Sequence, residues 1–194
     1  RTSLTLVGLV IAILAFGLLQ TVVETWYAGV DAAVPSRLLT RNAVSFAQPL
    51  PNAYQKRISA IEGVRRVTFM SWFGGVYQEP KNFFMQCPVV PQEFMEVFPE
   101  FLLPPEQMKA WLATRTGAVV GRKTAERFGW KIGDKIPIRS PIWMNRTWEF
   151  DLVGIFDGRD KGTDTTGMFF RYDYFDETRQ AMNWGQGLVG WYTI

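Results

Sequence analysis

Residues 4–23 read LTLVGLVIAILAFGLLQTVV, twenty positions without a charged side chain. At about 1.5 Å per residue, a helix of this length spans roughly 30 Å, the thickness of a bilayer's hydrocarbon core. The run is apolar on every side, whereas a helix lying on a soluble core shows a polar face. Arg1 precedes it; Glu24, Trp26 and Tyr27 follow, and an amphipathic aromatic pair suits a membrane interface. The positive-inside rule places Arg1 on the cytoplasmic side and everything after Glu24 outside. The competing expectation is a cleaved leader, because Val30-Asp31-Ala32 resembles a cleavage site. Against it, the run is long for a leader core and the site lies well beyond its end. Gly8 and Ala12 form a small-xxx-small pair and Gly17 adds another gap, which would let a neighbouring helix approach; ordinary membrane-helix composition accounts for them equally well. The chain is therefore read as a transmembrane helix, residues 1–23, followed by a folded domain, residues 24–194.

Composition narrows what that domain can do. Hydrophobic residues are 47% of the 194 and aromatics 15%, enough for a packed core. After Val23 there are 20 basic and 18 acidic residues, a balance of +2, too even for a nucleic-acid module. Cys87 is the single cysteine, so no intrachain disulfide forms. Histidine is absent, which removes Ser-His and Cys-His catalysis and the imidazole metal sites.

Outward from the apolar run, residues 31–51 read as a linker and a first strand over 36–44, punctuated by Pro49 and Pro51. A helix is expected over 52–62, with Tyr54, Ile58 and Ile61 inward and Gly63 ending it. Residues 65–78 read as a strand interrupted at Gly74-Gly75, with 82–90 as its partner. Helices follow at 91–98 and 106–114, the second started by Pro105, with Met108, Trp111 and Leu112 as its apolar face and Gly117 as its end. Then come a strand at 118–120, a helix at 123–128 closed by Gly129, and strands at 135–139 and 147–156. A polar, glycine-rich loop over 157–167 leads to a strand at 168–171. A helix capped by Asp173 reaches Asn183, with Phe175 and Met182 inward, and a last strand covers 188–194. Strands and helices do not alternate regularly, so the expected class is mixed α+β in two lobes rather than a doubly wound sheet.

Each chemical motif has a plainer reading. Gly121-Arg122-Lys123-Thr124 is close to the end of a phosphate loop, but an arginine intervenes and Thr116 stands where a glycine is required, which leaves a helix start with surface charges. Asp157, Asp160 and Asp164 share a loop with Gly158 and Gly162, yet calcium-loop spacing is absent and Arg159 and Lys161 intrude. Glu93, Glu96, Glu100 and Glu106 read as a charged surface rather than paired acid–base carboxylates. Cys87 lies in an apolar strand and reads as a buried, inert thiol. Asn145-Arg146-Thr147 fits a glycosylation sequon, a short and frequent pattern. Trp72, Phe73, Tyr77, Phe83, Phe84, Trp143 and Trp148 are expected to fill a core between strands, with a groove for an apolar ligand as the alternative. No catalytic, cofactor-binding or metal-ligating residue is assigned, and no cofactor is expected.

One series of segments has a familiar order. Ile61-Glu62-Gly63-Val64 leads to a strand ending at Trp72; Val89-Val90-Pro91 with Phe94 follows. Then come Ala118-Val119-Val120-Gly121, Ala125, Phe128-Gly129-Trp130, Lys131-Ile132-Gly133-Asp134-Lys135-Ile136 and Phe150-Asp151-Leu152-Val153-Gly154-Ile155. After an N-terminal membrane helix, this series resembles the MacB-like periplasmic core domain of FtsX-type ABC transporter permeases. The resemblance covers nearly the whole chain and implies a fragment, since a full member continues through the rest of that domain into three more membrane helices. It also implies a bacterial inner-membrane location with the main domain periplasmic, and no catalytic residue in this domain. The implied partners are a cytoplasmic ABC ATPase, a second permease as homodimer or heterodimer, a periplasmic adaptor and membrane lipids, with no nucleic acid. The outer domain would couple ATP hydrolysis to export, extraction or partner activation. The alternative of a different class is a tethered or secreted periplasmic module that binds an apolar ligand.

Overall fold

A computed structural model describes residues 2–31 and 37–194. They fall into two units, Arg1–Arg37 and Leu38–Ile194. The first unit contains one helix, α1 (Thr2–Asp31), which holds the apolar run and continues past it. Within it Thr5–Glu24 is long and apolar enough to cross a membrane, and its side chains are exposed. Thr21 Oγ1 donates back to the Gly17 carbonyl at 2.9 Å. An arginine at mid-span, Leu14→Arg, is expected to cost insertion about 2.5–3.5 kcal/mol. Carbonate extraction checks this: the native chain should stay with the membranes and the variant should be partly released. A mature species beginning near Ala33 would show a cleaved leader instead.

The second unit is a mixed α+β domain built on a six-stranded sheet. Its strands are β4 (Gln86–Val89), β5 (Phe101–Leu102), β6 (Gly117–Gly121), β7 (Lys135–Ser140), β8 (Arg146–Gly158) and β9 (Met168–Arg171). The order is β4-β9-β6-β8-β5, with β7 also on β8. β4 runs parallel to β9 and β6 parallel to β8; the remaining pairs are antiparallel. Helices cover both faces. α5 (Arg122–Phe128) and α6 (Tyr172–Ala181) bring Ala125, Tyr172 and Phe175 to one core, while α3 (Pro91–Val97) and α4 (Pro105–Ala113) bring Phe94 and Trp111 to the other. Both apolar cores belong to one compact unit.

The strands distribute side chains between the cores with period two. In β6, Ala118 and Val120 face the first core and Val119 the second; in β9, Met168 and Phe170 face the first and Phe169 the second. β8 changes phase midway. Trp148, Phe150 and Leu152 point to the first core, but then Ile155 does and Phe156 points to the second. The β6–β8 register shows why: Ala118 pairs with Leu152 and Val119 with Gly154, so Val153 is an extra residue in a bulge.

Two smaller sheets complete the unit. β1 (Leu39–Arg41), β11 (Trp191–Thr193) and β3 (Thr68–Met70) form one in the order β1-β11-β3; β2 (Leu50–Pro51) pairs with β10 (Leu188–Val189).

Several expectations change. Residues 32–36, in the expected linker and first strand, lie outside the described residues; β1 covers only part of 36–44. The helix expected over 52–62 is α2 (Tyr54–Ser59), with Tyr54 and Ile61 exposed and only Ile58 packed on the core. Residues 65–78 form a strand only at β3, with an isolated antiparallel bridge between Val76 and Arg139, and β4 pairs with β9 rather than with them. Gly74 and Gly75 are the reason. Gly74 has φ +62°, and a Cβ on Gly75 would lie 2.3 Å from Ile138 Cγ2. The chain therefore turns here, and the Gln86 side-chain amide replaces a ladder: it accepts from Gly75 N at 2.8 Å and donates to the Gly75 carbonyl at 3.3 Å.

Gly117 opens β6 rather than closing α4, which ends at Ala113 with Thr114 as the extended residue after it. Arg171, not Asp173, is the residue flanking the start of α6; the Asp173 carboxylate sits in the first turn, accepts from Tyr174 N and pairs with Arg171. The last strand is broken at Gly190, whose position leaves the Met70 carbonyl 3.0 Å from where a Cβ would be.

Candidate functional site

The residues singled out for chemistry are each used locally. Gly121 N donates to the Gly167 carbonyl at 2.9 Å, and the Thr165 backbone closes over Gly121. Arg122 holds Asp157 through two hydrogen bonds of 2.9 and 2.8 Å, which keeps that carboxyl below its usual range. Thr124 Oγ1 donates to the Thr166 carbonyl at 2.7 Å. The start of α5 is thus covered by the 157–167 loop and has no room for a phosphate. Asp160 accepts from Gly162 N and Thr163 N, and Asp164 accepts from Thr166 N. These are loop turns rather than a shared cation cage, and no cluster with metal-holding composition occurs among the described residues.

The glutamates are equally separate. Glu93 accepts from Gln55 Nε2 at 2.7 Å, and burial raises its pKa. Glu96 pairs with Arg66, and Glu106 is exposed on α4. The Glu100 backbone carbonyl accepts from Arg159 N. Cys87 is fully buried, and desolvation pushes its thiol up to about 12, so it carries almost no thiolate near neutral pH.

The aromatic set divides. Phe73, Phe84 and Trp148 are core residues, and Tyr77 and Trp143 pack against them half-buried. Trp72 and Phe83 are 43% and 59% exposed, with ring centroids 5.9 Å apart. They border a feature that periodicity did not single out.

The β7–β8 turn, residues 141–145, is anchored from below: Ser140 Oγ and Trp143 Nε1 both donate to the Phe73 carbonyl, at 2.9 and 3.0 Å. That leaves Ile142 and Met144 outward, 45% and 65% exposed. Opposite stands the end of α6. Arg179, buried and ion-paired with Asp176, also donates to the Leu188 carbonyl, and its carbonyl accepts from Met182 N and Trp184 N. This fixes the turn that presents Trp184, whose ring lies 5.2 Å from Trp143. Between the two turns is an open groove of about 380 Å³, lined by Pro141, Ile142, Met144, Met182, Asn183 and Trp184. The available sequence signal was PIWMN between two strands, an apolar run where a turn is normally polar.

The arrangement offers a shaped apolar surface and no reacting group. A family model of the MacB-like periplasmic core domain matches residues 2–189. The fold is similar to the periplasmic region of MacB from Actinobacillus actinomycetemcomitans, at 12% identity and TM-score 0.55, covering 82% of this chain and 73% of that one. It is also similar to the extracellular domain of the noncanonic ABC-type transporter YknZ from Gram-positive bacteria, at 9% identity and TM-score 0.51, covering 81% of this chain and 80% of that one. None of the curated proteins matches the chain.

Proposed function

Because the chain belongs to the MacB-like periplasmic core domain family of ABC transporter permeases, we propose that it is the permease part through which ATP hydrolysis in the cytoplasm moves a domain outside the membrane. Family membership across residues 2–189 is the observation that carries this reading. In this account residues 1–23 lie in the bacterial inner membrane and residues 24–194 outside it. ATP is hydrolysed on a cytoplasmic subunit or domain, two permease subunits assemble, and the outer domain works by contact and movement.

Two physical features support it. α1 continues as helix to Asp31, seven residues beyond the apolar stretch that ends at Glu24, or roughly 10 Å at helical rise. A helix transmits displacement along its axis where a coil absorbs it. The outer unit is compact with two packed aromatic cores, which suits a domain that moves as one body. Transport substrate, partner activation and a periplasmic adaptor all belong to this proposal.

The test is isolation of the intact complex. The full-length permease, tagged and extracted in mild detergent, should carry a nucleotide-binding subunit with vanadate-sensitive ATPase activity. A permease that purifies with neither a nucleotide-binding subunit nor a nucleotide-binding domain of its own, from membranes where all neighbouring ATPases are expressed, would sink the proposal.

A further inference from the structure

We infer that the groove between the β7–β8 turn and the end of α6 docks a segment of a partner protein that carries an apolar anchor beside carboxylates. Four observations converge on it.

The groove belongs to a continuous exposed apolar band. A Cβ on Gly74 would lie 2.3 Å from Ile142 Cδ1 and 3.0 Å from Trp72 Nε1, so these two side chains meet over the glycine. Phe83 extends the band beyond Trp72, and Trp184 closes it on the α6 side. Tryptophan is enriched among the few residues that dominate interface energies.

The backbone holds the apolar side chains out at a cost. Met144, Asn145 and Asn183 have φ of 56°, 51° and 52°; among the described non-glycine residues only Gln78 shares that sign. Methionine in the left-handed region costs about 1–2 kcal/mol, and such strain concentrates at functional sites.

The flanks are cationic. Arg139 and Arg146 bracket the turn; Arg139 Nη1 donates to Asn145 Oδ1 at 3.2 Å, and the Arg146 guanidinium lies over Trp148. At the far end Arg127 donates to the carbonyls of Phe83 and Lys81. Among the described ion pairs none engages these three arginines, while Glu79 is neutralised by Lys81. Three arginines outside any described ion pair, at the two ends of an apolar band, favour an acidic partner over a second copy of the same surface.

The surface is a shallow, open depression that carries the Asn183 amide in its lining. A groove of this kind receives a protruding side chain, whereas a bilayer surface would be met by a projecting patch.

The experiment uses the full chain in phosphatidylcholine nanodiscs and two fluorescein-labelled peptides, acetyl-EELLEELL-amide and acetyl-KKLLKKLL-amide. Anisotropy should show saturable binding of the acidic peptide, at least about tenfold tighter than the basic one. The double variant Ile142→Ser with Trp184→Ser should weaken it by about tenfold or more. Arg139→Glu with Arg146→Glu, at exposed positions, should reverse the preference between peptides with melting unchanged. Equal affinity for both peptides, or an unaltered affinity in the groove variant, overturns the inference. So does self-association that the groove variant abolishes, or preferential binding to phosphatidylglycerol vesicles over the acidic peptide.

Discussion

Gly121→Val is expected to destabilise the outer domain more than any exposed substitution. A Cβ at this position lies 2.0 Å from the Thr165 carbonyl oxygen, 2.3 Å from its carbon and 2.7 Å from its Cα. All three are backbone atoms, so no rotamer change relieves the contact. The loop must move, and with it go Gly121 N to Gly167 O and Thr124 Oγ1 to Thr166 O. Overpacking in a tight interior costs typically 1–3 kcal/mol and sometimes more; about 3 kcal/mol is the expectation here. For a domain of this size that corresponds to roughly a 6–12 °C fall in melting temperature.

Gly129→Ala provides the contrast. Gly129 ends α5 at φ +68° with nothing within 4 Å of its would-be Cβ, so only the dihedral cost of about 1–2 kcal/mol remains. Thermal melts of both variants check this. Equal stability of Gly121→Val and the native domain would mean the 157–167 loop does not close on β6.

The contrast also shows what could be read from residue order. Gly129 was legible as a helix stop because its signal is local: helical periodicity ends and a glycine follows. β6, β8 and β9 were legible because β-branched and aromatic residues cluster between turn residues. Gly121 was readable only as the edge of a weak phosphate-loop pattern. Its actual constraint is a backbone 44 positions later in the chain, which no window over the sequence reveals.

The same distinction explains the misassigned pairing of residues 65–78. Adjacent apolar segments predict a hairpin, but the Gln86 amide and the crowding at Gly75 are tertiary facts. The bulge at Val153 lies inside an uninterrupted strand pattern and changes which core each later residue enters.

The groove is the least legible feature. Periodicity assigns large apolar residues to cores, and it did so correctly for Phe73, Phe84 and Trp148. It gives no reason for Trp72 or Phe83 to stay outside. Ile142 and Met144 are outward because Ser140 and Trp143 are both pinned to the Phe73 carbonyl, a contact across 67 and 70 positions.

The second large effect concerns the junction at the membrane exit. Residues 25–30 are helical in α1. Replacing them with alternating glycine and serine in the complete transporter should uncouple the two sides of the membrane. Each glycine costs a helix interior about 1 kcal/mol relative to alanine, so the insert melts locally. A glycine–serine coil of this length has an end-to-end distance of about 13 Å that fluctuates freely, where the helix held a fixed axis. ATP binding should persist, because it occurs on the cytoplasmic side, away from the replaced residues. The outer domain should remain folded, because Leu38–Ile194 is a compact unit by itself. Movement driven by nucleotide should be lost.

Interdomain distance is therefore the most direct measurement. A nitroxide is placed at Ala60→Cys, an exposed position after α2, and on the outer domain of the paired permease; Cys87 is buried and unreactive and stays in place. Pulsed electron–electron resonance then gives the distance distribution with and without ATP and vanadate. The account predicts a nucleotide-dependent shift in the native transporter and no shift once residues 25–30 are glycine and serine. An unchanged distribution in the native transporter, or a full shift that survives the replacement, would contradict it.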